Sequence, residues 1–160
     1  MKIALFGNGN TGARLLECVD PETEILGPFT RSHLPTVSEL READAAILFV
    51  PGSAIPGLLP LLLEAAIPVV CGATGRELLN AEIRQIEERG IPWVQASNFS
   101  LGMNLLLLLC QAIGAFKPAR RMGSIQIEEH HHSRKLDSPS GSALSMQKAL
   151  GIPVSIESKR

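Results

Sequence analysis

KIALFGNGNTG, residues Lys2 to Gly12, decides the fold. Lys2 to Phe6 reads as a short buried strand, and Gly7, Gly9 and Gly12 follow it in the pattern G-x-G-x-x-G. From Gly12 to Val19, apolar Leu15, Leu16 and Val19 recur at the spacing of a helix face. Strand, glycine turn and helix in that order give an otherwise weak pattern its chemical meaning. The first glycine permits a tight turn, the second lets a pyrophosphate approach backbone N–H groups, and the third lets helix pack closely on strand. The helix N-terminus adds a partial positive charge for phosphate. A dinucleotide site at Gly7, Gly9 and Gly12 is therefore expected, the plainer alternative being a glycine-rich turn.

Working outward, Glu24 to Phe29 reads as a second strand, with a short helical turn around Val37 to Glu42 and a third strand at Ala45 to Val50. Gly52 to Ala66 fits a helix broken near Pro56 and Pro60. Pro68 to Cys71 and Pro92 to Ala96 are further strands, separated by an amphipathic helix from Arg76 to Arg89. Apolar strands alternating with helices predict a parallel sheet covered on both faces. From Asn98 the pattern changes to a long apolar helix, a strand at Gly123 to Glu129, the polar loop HHHSRKLDSPSGSA, a helix from Gly141 to Leu150 and a strand at Pro153 to Glu157. Residues 1–98 are expected to form a dinucleotide-binding domain. Residues 99–160 form a second, mixed α/β unit that reads as unfinished, because one or two strands do not close a sheet.

Composition narrows the partners. The 160 residues are 45% hydrophobic and 19% charged, with a net charge of −1. Such a balance suits a globular protein and offers no polyelectrolyte field for nucleic acid or an anionic membrane, so a small-molecule partner is expected. Cys18, Cys71 and Cys110 are widely spaced in apolar surroundings, which predicts buried reduced thiols. MKIALF is too short for a signal-peptide core, so a cytoplasmic location is expected. Leu101 to Phe116 is shorter than the ~20 apolar residues that span a bilayer, and a buried helix is the better reading.

Two further places carry chemistry. The second strand ends in Pro28-Phe29-Thr30-Arg31, where NAD-selective folds place an acid for the ribose hydroxyl. Without that acid, and with Arg31 able to pair with a 2′-phosphate, NADPH should be accepted. The loop Glu129 to Ala143 places His130, His131, His132, Arg134 and Lys135 close together, ahead of Ser140-Gly141-Ser142 at a helix start. Cations beside a helix N-terminus suit carboxylates, and His or Lys can give a proton at neutral pH. A zinc site would need further Cys or His ligands at suitable spacing, and the three cysteines lie far off in sequence. A solvated basic loop is the remaining alternative.

The run E-x-H-H-x-x-K-x-D-x-P-S-G-[TS]-A, here Glu129, His131, His132, Lys135, Asp137, Pro139, Ser140, Gly141, Ser142 and Ala143, resembles the signature of the 4-hydroxy-tetrahydrodipicolinate reductases. The glycine loop, Gly72 to Gly75 and the NFS-x-G segment Asn98 to Gly102 resemble further family features, in order. Ser142 stands where the family usually has Thr, Ala73 where Thr is usual and Gln126 where Glu is common. The resemblance implies an N-terminal Rossmann-type parallel sheet and a second, mixed α/β domain for substrate binding and oligomerisation. It implies that family members continue past the equivalent of Arg160, so that this chain is a fragment. NADPH or NADH would be held by Gly7, Gly9, Asn10, Thr11, Gly12 and Arg31, with Gly72, Ala73, Thr74, Ala96, Ser97, Asn98 and Phe99 along the nicotinamide side. His132, Lys135, Gly141 and Ser142 would hold a dicarboxylate. His131 and Lys135 would be the catalytic pair, without a metal, in a homotetramer when full length. Another two-domain NAD(P)-dependent dehydrogenase of an amino-acid-like acid would share the glycine loop but has no reason to carry the HHxxKxDxPSG run. A non-catalytic nucleotide-binding module would bind the cofactor without turnover.

Overall fold

Lys2–Phe6 forms strand β1, and the chain turns through the glycine loop into helix α1, Asn10–Cys18. The computed structural model describes residues 1–118, 123–131 and 138–159. Two units divide it, Met1–Ser97 and Asn98–Arg160. In the first, β2 (Glu24–Phe29), β3 (Ala45–Leu48), β4 (Val69–Cys71) and β5 (Trp93–Gln95) join β1 in a five-stranded sheet of order β2-β1-β3-β4-β5. All four pairings are parallel. The chain leaves β1 toward β2 and then returns past it to β3, so the sheet order reverses between β1 and β3.

Alternation along each strand builds the core. Ala4 and Phe6, Ala46 and Leu48, Val69 and Cys71 share one face, where they meet Leu40 of α2 (Val37–Arg41), Leu58, Leu59, Leu62 and Leu63 of α3 (Ile55–Ala65) and Ile86 of α4 (Asn80–Glu88). Burying each leucine contributes roughly 1.5–3 kcal/mol. Thr36 caps α2 in a reciprocal arrangement with Glu39, whose carboxyl is held below its usual range mainly by the Thr36 backbone N–H.

Several features differ from the sequence reading. α3 is not broken at Pro60: Gly52–Ala54 forms a 3-10 turn, Pro56 sits in the opening turn where a missing N–H costs little, and the buried leucines carry the helix past Pro60. α4 starts at Asn80 rather than Arg76, because Glu82 accepts from the Arg76 guanidinium at 2.8 and 2.9 Å and from the Leu79 N–H at 2.8 Å, wrapping residues 76–79 around its carboxylate. Cys18 is exposed at the end of α1, whose only buried residue is Gly12, while Cys71 and Cys110 are buried as expected.

The second unit holds α5 (Leu101–Ala115), β6 (Gln126–His130), α6 (Gly141–Leu150) and β7 (Ser155–Lys159). β6 and β7 pair in parallel with Ile127 opposite Ile156. Cys110, Ile127, Ala143 and Leu150 form the core of this unit. α5 and α6 approach so closely that a Cβ on Gly114 would lie 1.7 Å from the Leu150 carbonyl oxygen. α5 is a helix, but it is not buried as the sequence suggested. Of its residues Cys110 alone is buried, and Leu101, Leu105 and Leu108 are exposed. Among the described residues no helix is long and apolar enough to cross a membrane.

Candidate functional site

In an open parallel sheet, ligands bind beyond the carboxyl ends of the strands where the order reverses. A cleft of about 540 Å³ lies there in the first unit, lined by Gly7 to Gly9 after β1, Phe29 to Arg31 at the end of β2 and Phe49 to Pro51 after β3. Gly7 sits at φ +99°, and a Cβ on it would lie 2.1 Å from the Phe49 carbonyl oxygen. Gly12 is buried, with its Cβ position 2.2 Å from the Gly7 carbonyl oxygen, so α1 packs directly on the turn. Around the Cβ position of Gly9 there is nothing within 4 Å. Gly9 is also the N-cap of α1, and no side chain caps that helix. Its first N–H groups therefore keep their capacity for an anion, in a helix whose first turn carries no acid. These residues fit a dinucleotide diphosphate.

Of the sequence-expected cofactor residues, Gly7, Gly9 and Arg31 are brought to one cleft. Asn10 opens α1, and Thr11 lines a separate groove beside Arg14 and Leu15. The loop Gly72 to Thr74 lies beyond β4, joined to the β3 end by the Gly52 N–H, which donates to the Thr74 carbonyl at 3.0 Å. Ala73 is buried, and Gly72 passes the Phe49 ring, whose nearest atom is 2.6 Å from the glycine's Cβ position. The Ala96 N–H donates to the Cys71 carbonyl at 3.0 Å, which ends β5 beside β4. Ser97 closes the first unit, while Asn98 and Phe99 open the second. There the Asn98 carboxamide oxygen accepts from the Ser100 N–H at 2.8 Å, and Ser100 caps α5.

The second unit presents an acid at a core position. The two-residue period of β6 puts Ile127 and Glu129 on the buried face, and His131 follows on it. A carboxylate there must be satisfied. One Glu129 oxygen accepts from the Ser140 N–H at 2.8 Å and from the Ser158 hydroxyl at 2.7 Å; the other accepts from the Ser140 hydroxyl and lies 3.7 Å from His131 Nδ1. The Ser140 hydroxyl in turn accepts from the Ala143 N–H at 3.1 Å, capping α6. Hydrogen bonds from the Ser140 and Ser158 hydroxyls, in that order, hold the Glu129 carboxyl at about 2. Because the folded value lies below the ordinary 4.5, this contribution to stability is complete above that pH and is lost as pH falls toward 2.

His131 is half-buried at the head of the basic segment, its backbone N–H donating to the Lys159 carbonyl at 3.0 Å. His130, grouped with it by sequence, instead ends β6 on the outer face, its ring 2.6 Å from Glu128. His132 and Lys135 lie outside the described residues. Gly141 and Ser142 begin α6 and are exposed.

Known proteins resemble this chain in sequence and fold. Residues 102–159 match the family described as "Dihydrodipicolinate reductase, C-terminus". Over 159 residues the chain is 31% identical to the 4-hydroxy-tetrahydrodipicolinate reductase of Alkaliphilus metalliredigens (strain QYMF), covering 94% of this chain and 65% of the relative. The chain is thus similar to the dihydrodipicolinate reductases along most of its length. A second reductase of this family, from Bdellovibrio bacteriovorus (strain HD100), is 32% identical over 153 residues, again covering 94% of this chain and 65% of its own length. The chain thus spans 65% of the length of these curated relatives. A solved family member, the dipicolinate-bound dihydrodipicolinate reductase from Paenisporosarcina sp. TG-14, has the same fold at a TM-score of 0.72, with 18% identity, over 99% of this chain and 78% of that one. The α/β architecture expected from the sequence is thereby established.

Sequence reasoning passed over Phe49, Val50, Pro51 and Ser53 in the cleft. The end of any strand flanking an order reversal faces the ligand, so the position of β3 would have found the first three. Glu129 enters the sequence reading as part of the signature, without a role; its place two residues beyond an inward Ile127 was the available sign.

Proposed function

We propose that this chain carries the cofactor domain and the beginning of the substrate domain of an enzyme that reduces 4-hydroxy-tetrahydrodipicolinate to tetrahydrodipicolinate with NADPH or NADH, in the diaminopimelate route to lysine. The observation that carries this reading is the cleft at the β1/β3 reversal, where Gly7, Gly9 and Arg31 converge in a chain similar to these reductases. Gly7, Gly9, Asn10, Thr11 and Gly12 would hold the pyrophosphate, the last three through the first turn of α1. Arg31 would hold a 2′-phosphate. Gly72, Ala73, Thr74, Ala96, Ser97, Asn98 and Phe99 would line the nicotinamide side. When bound, the nicotinamide supplies the hydride, and the protein supplies orientation and countercharge.

His132, Lys135, Gly141 and Ser142 would bind the substrate carboxylates by cations and helix N–H groups. His131 or Lys135 would deliver the proton that accompanies reduction. Dipicolinate, bound by the solved family member from Paenisporosarcina, is a planar dicarboxylate of the class this set would recognise. We place the reaction in the cytoplasm. Full-length protein is expected to be a homotetramer built through the second domain, where a two-stranded sheet leaves edges that invite pairing. Light scattering checks this; a monodisperse monomer would contradict it.

The deciding experiment mixes the protein with NADPH and enzymatically generated 4-hydroxy-tetrahydrodipicolinate and follows loss of reduced nicotinamide. Turnover is expected. Tight NADPH binding without turnover by the full-length protein would favour a non-catalytic nucleotide-binding module instead. Fluorescence titration tests cofactor choice, since β2 is followed by Thr30 and Arg31 and, among the described residues, no acid lines the cleft there. NADPH should bind at least as tightly as NADH. A tenfold preference for NADH, about 1.4 kcal/mol in the other direction, would mean that Arg31 does not read the phosphate.

A further inference from the structure

We infer that Glu129 is a positioning residue: its carboxylate ties the end of strand β6, and His131 beside it, to Ser140 at the N-terminus of helix α6, and so holds both ends of the basic segment. This deepens the function proposed above and rests on it for the substrate, though not for the geometry. The segment from His131 to Ser140 begins and ends on groups that one side chain holds. At its start, His131 Nδ1 is 3.7 Å from Glu129. At its end, the Ser140 N–H and hydroxyl both donate to Glu129. The Ser158 hydroxyl on β7 adds a third donor at 2.7 Å. Three donors converging on one buried carboxylate fix its position without rotamer freedom, and Glu129 is 9% exposed.

Two properties of that arrangement reach the candidate site. Ser140 spends its hydroxyl proton on Glu129 and accepts from the Ala143 N–H, so the α6 cap and the tie to β6 are one connected set. The N–H groups of Gly141 and Ser142, immediately after it, then face a dicarboxylate from a fixed base. A carboxylate 3.7 Å from Nδ1 of His131 also attracts the ring whenever it is protonated. An apolar residue at the same inward position of β6 would pack against Ile127 and the core but could do neither. The acid therefore serves the loop rather than the core.

Glu129→Gln in the full-length protein keeps the side chain's length and removes its charge. Hydrogen exchange at the Ser140 amide should quicken at least tenfold, with Ala143 following; dipicolinate, as the dicarboxylate probe, should bind at least threefold more weakly; kcat should fall at least tenfold; and NADPH affinity should stay within twofold. Ser158→Ala removes one donor and keeps the charge, and should quicken Ser140 exchange about threefold with a smaller fall in kcat. If Glu129→Gln does not fold, Ser158→Ala decides. Unchanged exchange at Ser140 in a folded variant overturns the inference, as does a loss of kcat matched by an equal loss of NADPH affinity, which would signal general loosening. Absence of turnover in the unmutated protein would instead sink the proposed reaction, and the exchange and dipicolinate measurements would still judge Glu129.

Discussion

Replacing His131 or Lys135 with alanine should each lower kcat by roughly 10² or more, the scale on which a positioned acid or a carboxylate partner acts. NADPH affinity should stay nearly unchanged, because the residues proposed for its phosphates, Gly7 to Gly12 and Arg31, belong to the other unit. For His131 the argument rests on geometry. Its ring is half-buried, next to a carboxylate held ionised by two serines, at the start of a segment that ends on a helix N-terminus. For Lys135, outside the described residues, it rests on the signature and on the need for a cation among carboxylates. His132→Ala should act chiefly on KM if that residue holds a carboxylate equally in ground and transition states. EDTA should change nothing. Near-normal turnover in the His131 and Lys135 variants, measured with saturating NADPH, would mean that the basic segment is a solvated surface, and activity lost to chelation would mean a metal site.

The fold was readable because its signals are local and strong. The run Lys2 to Gly12 gives strand, turn and helix in order, and β2, with bounds at Glu24 and Phe29, coincides with its apolar run. α6 was bounded correctly from Gly141 to Leu150, since Ser140 caps it and Gly151 ends it in a left-handed conformation. What misled were positions set by particular partners rather than by the apolar period. That period does not show that Glu82 captures Arg76 and the Leu79 N–H and so delays α4 by four residues. Nothing local shows that Leu58 to Leu63 repay a proline inside α3, because that depends on the sheet beneath. The candidate site was legible by residue type in the glycines and the basic loop. Its architecture was not: the join between Glu129 and Ser158 crosses 29 residues and exists only once β6 and β7 pair.

The glycine loop allows folding and binding to be separated by two single substitutions. Gly7→Ala should destabilise the first unit by roughly 2–5 kcal/mol, combining the cost of a side chain at positive φ with overpacking. Both causes are present: φ is +99°, and the new Cβ would lie 2.1 Å from the Phe49 carbonyl, a backbone atom that β3 holds in place. For a unit of this size the thermal midpoint should drop by about 10 °C or more. Gly9→Ala meets neither obstacle. Its φ of −70° and ψ of −175° suit any residue, and nothing lies within 4 Å of the added carbon. Weaker N-capping should cost under about 1 kcal/mol, so the melting curve should barely move. The methyl group would instead project where a pyrophosphate must come against the first N–H groups of α1. NADPH affinity should then fall at least tenfold, about 1.4 kcal/mol. Thermal melting and fluorescence titration of the two variants side by side give the answer. If Gly9→Ala binds NADPH like the parent protein, the pyrophosphate does not sit on the glycine loop; if Gly7→Ala melts with the parent, the contact between the β1 turn and Phe49 does not hold the sheet at its reversal.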